Sequence, residues 1–128
     1  MSYTRKNLSQ VKDSAPEFGF GDIGEARFAM GELGAEQTGL AYHRLKPGMR
    51  QRFSHTHEDA EEVYVVLRGS GRLKLDDEVI EVGELDAIRI APQVERAMEA
   101  GDEGVAYLAF GPHRKGDGEL NHDPGFWD

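Results

Sequence analysis

Short apolar runs, each closed by glycine or by a cluster of acidic residues, recur along most of the chain. ARFAM (26–30), TGLAYHRL (38–45), EVYVVL (62–67), RLKL (72–75), VIEV (79–82), AIRI (87–90) and VAYLAF (105–110) are rich in Val, Ile, Leu and Tyr. Runs of this length with turn signals between them predict an antiparallel all-β sandwich or barrel. In RLKL charge alternates with leucine, Asp76-Asp77-Glu78 turns the chain and Val79–Val82 returns it, so a hairpin with one buried face is expected. Gly69-Ser70-Gly71 predicts a second tight turn; it lacks the Gly-Lys-Ser/Thr of a phosphate loop. Ser14–Phe18 predicts a short helical turn that packs Phe18 and Phe20 onto the barrel exterior. The resulting organisation is an irregular N-terminal arm (1–25), a barrel (26–112) and a C-terminal tail (113–128). The tail reads as an extended arm anchored by Phe126-Trp127.

Composition narrows the function classes. With 128 residues the chain encloses one core. Fifteen Lys and Arg stand against 24 Asp and Glu, a formal net charge of −9. Such a chain offers no basic track for a nucleic acid and no attraction to an anionic membrane. Without cysteine it forms no disulfide, thiolate metal site or cysteine nucleophile. The N-terminal MSYTRKNLSQVKDSAP has no apolar signal region, and no run is long enough to cross a bilayer, so a soluble cytoplasmic protein is expected.

The chemistry concentrates in FSHTHEDAEEVYVVLRGSG (53–71). Alternation along a strand puts His55 and His57 on one face, with Ser54 and Thr56 on the other. After a turn through Glu58-Asp59-Ala60, Glu62, Tyr64 and Val66 share a face. If both faces look into a barrel, two imidazoles and a carboxylate converge. That set suits iron, copper, nickel or zinc, and the carboxylate admits manganese. The competing reading is a solvated acidic turn with two polar histidines. Tyr64 is a candidate for the pocket lining. His43 has no face assigned by alternation, and His113 and His122 are expected in solvent.

Gly48-(x6)-His55-Thr56-His57-(x4)-Glu62-(x6)-Gly69 resembles the first signature motif of the cupin superfamily, with one extra residue after Gly48. The resemblance implies an antiparallel jelly-roll β-barrel holding a divalent transition metal through His55, His57 and Glu62. It also implies a homodimer, in which residues 26–45 add to the partner's sheet. The second motif of that superfamily is not kept. Leu85, Ala91 and Gln93 stand at its glycine, proline and glycine positions, Arg96 replaces the histidine that would be the fourth ligand, and Ala100 replaces the asparagine.

Arginine only donates, so Arg96 cannot ligate a cation. Three consequences stand open. A three-ligand metal can remain with free positions; Arg96 can recognise an anionic ligand; or Arg96 can pair with a carboxylate such as Glu62. Met98 shares the strand parity of Arg96 and is expected to line the pocket, whereas Glu95 and Glu99 have the parity of solvent-facing residues. The functional readings are a metal-dependent oxygenase or isomerase acting on a small polar or anionic molecule, a non-catalytic small-ligand binder, and a barrel that has lost both metal and ligand.

Overall fold

The computed structural model describes residues 2–112 and 116–128. Eight antiparallel strands build one curled sheet: β1 (Gly24–Phe28), β2 (Thr38–Leu45), β3 (Ser54–His57), β4 (Glu62–Leu75), β5 (Glu78–Gly83), β6 (Ala87–Ile90), β7 (Arg96–Pro112) and β8 (Gly118–Asn121). Among the described residues no helix is long and apolar enough to cross a membrane. The seventeen-residue β7 organises the sheet. One of its sides runs along β4 for the whole length of that pairing, and its other side is shared by β2 and β3. The remaining β4 edge takes up β5 and β6.

Alternation explains which side is buried. On β4, Tyr64, Val66 and Leu73 point inward, and on β7 Arg96, Met98, Ala100, Val105, Tyr107 and Ala109 do so. Apart from Arg96, these side chains join Ile23, Ala41, Leu45, Val82 and Ile90 in one apolar core, to which β2, β4, β5, β6 and β7 contribute. The hairpin joining Leu75 to Glu78 through Asp76-Asp77 is formed as the alternating RLKL pattern predicts.

Two expectations about local structure are corrected. Gly69-Ser70-Gly71 is not a turn: the chain runs on as one fourteen-residue strand with irregular register at Val66/Arg68 and Gly69/Gly71. Gly69 has φ +78°, and a Cβ there would lie 2.1 Å from the carbonyl oxygen of Gly104, so the glycine serves a close strand approach at a bulge. Phe20 does not sit on the barrel exterior either, while Phe18 stays half exposed at the cavity rim. The chain leaving the 3-10 turn Ala15–Phe18 brings Phe20 to the mouth of an interior cavity, where it packs on Phe53 at 4.4 Å between ring centroids.

The C-terminal tail contributes a strand. β8 pairs with β3 in the register His55↔Leu120 and His57↔Gly118, which places the tail directly beside the histidines. The aromatic end does anchor: Trp127 donates its indole N–H to the Gln51 carbonyl at 3.2 Å and lies under the Arg50 guanidinium. His113 lies outside the described residues, and His122 is exposed.

Candidate functional site

β3 is short and held on both sides, by β7 at His55↔Arg96 and by β8 along its whole length. Its i, i+2 alternation turns His55 and His57 to the interior and the fully buried Ser54 to the opposite side, where its hydroxyl donates to Glu95. Glu62 enters from the first position of β4. One carboxylate oxygen, Glu62 Oε1, lies 3.3 Å from His55 Nε2, 3.2 Å from His57 Nε2 and 2.6 Å from Arg96 Nη1. One donor atom from each of His55, His57 and Glu62 falls within 4.8 Å of the others.

Asp117, in the turn before β8, sets the orientation of His57. Its Oδ2 lies 3.0 Å from His57 Nδ1. It also accepts the backbone N–H groups of Glu58, Asp59 and Ala60 at 3.1, 2.7 and 3.2 Å, closing the acidic loop between β3 and β4. A carboxylate only accepts, so His57 Nδ1 carries the proton and donates it, which leaves Nε2 to face the site. That Nε2 is buried and has no hydrogen-bond partner among the described residues.

The titration behaviour follows from burial and from this crowding. Burial pushes the Glu62 carboxyl up, but the adjacent His55 and His57 imidazoles outweigh it and hold the carboxyl well below the usual carboxylate range. His57 is raised, chiefly by Glu62 and against its own burial. His55 is lowered because burial outweighs the attraction of Glu62. Asp117 is pushed up by burial yet held low overall by the N–H groups of Asp59 and Ala60 and by His57.

Arg96 is fully buried, and its donors are already engaged. Nε donates to the Val94 carbonyl at 3.0 Å, and Nη2 reaches the carbonyls of Ala91, Pro92 and Val94 at 2.8–2.9 Å. Of the three roles open to it from sequence, the structure holds it in a pair with Glu62. Neither Arg96 nor the equally buried Met98 lines the cavity; both are packed into the core beneath it. Tyr64 does line it, as do His43 and Tyr107, whose rings stack at 5.1 Å.

These residues fit a divalent ion. Donor atoms about 2.1 Å from one ion, at tetrahedral to octahedral angles, lie ~3.0–3.4 Å apart, which is the spacing from Glu62 Oε1 to each histidine nitrogen. The buried His57 Nε2 lacks a partner that an ion would supply. Asp117 behind His57 is the kind of carboxylate support that metal-ligating histidines use. The guanidinium does not consume the carboxylate: Arg96 uses one lone pair of Oε1, which has a second, and Oε2 accepts no hydrogen bond from a described residue.

Sequence reasoning identified the three converging donors and passed over Asp117. An aspartate between two glycines in a tail carries no local signal; its role depends on β8 pairing with β3.

Comparison with known proteins agrees with this geometry. Residues 41–111 match the family described as Cupin domain. A cupin protein from Bacteroides fragilis superposes with a TM-score of 0.72 at 22% identity, covering 91% of this chain and 88% of that one. Oxalate decarboxylase from Bacillus subtilis at pH 4.6 gives a TM-score of 0.75 at 24% identity over 93% of this chain, and a mutant of the same enzyme gives 0.73 at 26% over 91%. The present chain spans about a third of those decarboxylase chains, 32% and 31%. No curated protein matches the sequence. These likenesses establish the curled antiparallel sheet as a jelly-roll β-barrel.

Proposed function

The chain belongs to the cupin family, and from that premise we propose that His55, His57 and Glu62 hold one divalent transition metal and that the barrel acts on a small organic molecule. The observation that carries this reading is the buried, unpartnered Nε2 of His57, aimed by Asp117 at the donors of Glu62. Leaving such an atom unpaired costs about 1–3 kcal/mol, and a metal ion removes that cost.

Iron, manganese, nickel, copper or zinc all suit two imidazoles and a carboxylate. Bound there, the metal would supply a Lewis-acid centre with open positions, the requirement for oxygenase- or isomerase-type chemistry. The chain's own residues supply the rest. Asp117 keeps the proton on Nδ1 of His57, so Nε2 stays available as a donor. Arg96 holds Glu62 in place and ionised from behind. Tyr64, Tyr107 and His43 form the wall against which a bound molecule is oriented. A homodimer is part of the same proposal, with β1 and β2 at the end of the strand order as the contact; sedimentation velocity measures it directly.

The second reading is a metal-free, non-catalytic binder. It is favoured by one observation, that Arg96 already neutralises Glu62. Arg96 is not the residue that would touch a ligand in such a protein, because it is enclosed and its donors are used.

The experiment is metal content by inductively coupled plasma mass spectrometry on untagged protein, beside the His55→Ala, His57→Ala double variant. A near-stoichiometric transition metal in the native protein that is absent from the variant is the expected result. Equal, negligible metal in both, after reconstitution with each of the five ions, would sink the metal reading.

A further inference from the structure

The three donors face a cavity of about 850 Å3, inside the roughly 300–1,000 Å3 typical of small-molecule pockets. Residue size accounts for its existence. Ala26, Ala41 and Ala109 occupy neighbouring wall positions on β1, β2 and β7, and Ala41 pairs directly with Ala109. Larger side chains at these places would fill the barrel. The wall beyond them is apolar, with Phe20, Phe28, Met30, Leu40, Phe53 and Leu120.

Most polar groups bordering the cavity are already satisfied within the protein. Glu25 pairs with Arg44 at 2.9 Å, and Gln51 bonds both the Tyr107 hydroxyl at 3.2 Å and the Met98 N–H at 2.9 Å. The one buried side-chain polar atom without a partner among the described residues is His57 Nε2, at the donor site, and Glu62, His43 and Tyr64 line the same cavity. The charge there is also one-sided. Arg96 offsets Glu62, and Asp117 is taken up by His57 and three backbone N–H groups, so a divalent ion in the site would keep a net positive charge and favour an anion opposite it.

We infer that the site takes an amphipathic organic acid, its anionic oxygen head at His55, His57 and Glu62 and an alkyl or aromatic body along Phe20, Phe28, Met30 and Phe53. The placement of the head rests on the metal reading above; the placement of the body does not. The inference narrows the small polar or anionic molecule expected from sequence to an anion with an apolar body. Oxalate, named in the decarboxylase neighbours, has nothing to lay along such a wall.

Isothermal titration of a carboxylate series (acetate, hexanoate, decanoate, 3-phenylpropanoate, with oxalate alongside) into metal-loaded and chelator-stripped protein tests it. The expected result is affinity rising about fourfold per added methylene, equivalent to ~0.8 kcal/mol each, with oxalate and acetate weakest. Ala26→Trp, which narrows the cavity without touching a donor, should remove most of that rise while metal content and circular dichroism stay as in the native protein. A flat series, oxalate binding more tightly than decanoate, or a rise unchanged in folded Ala26→Trp would each overturn the inference. A rise that persists in stripped protein supports the apolar body, and failure of the protein to load metal then counts against the metal reading alone.

Discussion

Arg96 Nη1 donates to Glu62 Oε1 at 2.6 Å from a position with no solvent exposure, where a fourth metal-ligating histidine would complete the cupin set. The substitution has not left a void or a free charge. The guanidinium binds the carboxylate on one side and the carbonyls of Ala91, Pro92 and Val94 on the other, joining the loop before β7 to the start of β4.

Arg96→Met should therefore destabilise the fold strongly. It leaves Glu62 buried and uncompensated, a change that costs about 3–5 kcal/mol when one partner of a buried pair is removed. Equilibrium unfolding in guanidinium measures it, and a loss below about 1 kcal/mol would show that the pair is dispensable. Arg96→His is the informative companion. If His55, His57 and Glu62 bind a metal, a third imidazole should raise its affinity by about tenfold or more, read by competition with a chelator.

Asp117 acts through His57 and through the loop it closes. Asp117→Ala removes the acceptor for His57 Nδ1 and for three backbone N–H groups. Metal affinity should fall about 10–100-fold, as for other residues that support a ligating histidine. Amide exchange at Glu58, Asp59 and Ala60 should speed up in the same variant. Asp117→Asn keeps an acceptor oxygen and should recover part of both effects; if metal affinity is unchanged in Asp117→Ala, Asp117 is a loop clasp only.

His43 should make the fold acid-sensitive. It stacks on Tyr107 and meets the edge of Phe28, and its pKa is pushed down to about 4, chiefly by burial and further by His55. Below the ordinary value of 6.5 the unfolded chain binds a proton that the folded state refuses. Stability from this group is thus complete above pH 6.5 and is lost as pH falls toward 4, by on the order of 3 kcal/mol at the lower end. Urea unfolding between pH 4 and 7 on chelator-stripped protein checks it. His43→Gln should flatten the difference, and parallel curves for the two proteins would assign the acid sensitivity elsewhere.

What could be read from the sequence was what neighbouring residues decide. His55 and His57 share a face because strands alternate, and the Asp76-Asp77 hairpin follows from charge–leucine alternation on its first strand. Gly69 was misread because a glycine required by a close approach to Gly104 looks the same, locally, as one required by a turn. Asp117 meets His57 across 60 residues of sequence, through a strand pairing that no local pattern announces. The apolar cavity depends on small residues lying side by side on β1, β2 and β7, a coincidence that only the sheet order creates. Arg96 was legible as a lost ligand, but its three carbonyl partners depend on how the loop at 91–94 folds back.

Leu85 stands where the resemblance seen in the sequence expects a glycine, and its backbone makes the last prediction. Its φ is +69° while its side chain is 76% exposed, so the residue is held in left-handed backbone without burial in return. The turn requires that shape: the Leu85 N–H donates to the Val66 carbonyl at 2.8 Å, and the Asp86 carboxylate accepts the Gly83 N–H at 2.7 Å. An L-residue pays about 1–2 kcal/mol for this conformation, and glycine avoids it at a smaller entropic cost in the unfolded chain. Leu85→Gly should stabilise the protein by about 0.5–1 kcal/mol in chemical unfolding. Leu85→Ala separates the two explanations: it trims the exposed side chain but keeps a Cβ at positive φ, so it should give no gain. Equal stabilisation by alanine and glycine would trace the effect to the apolar surface and not to the backbone.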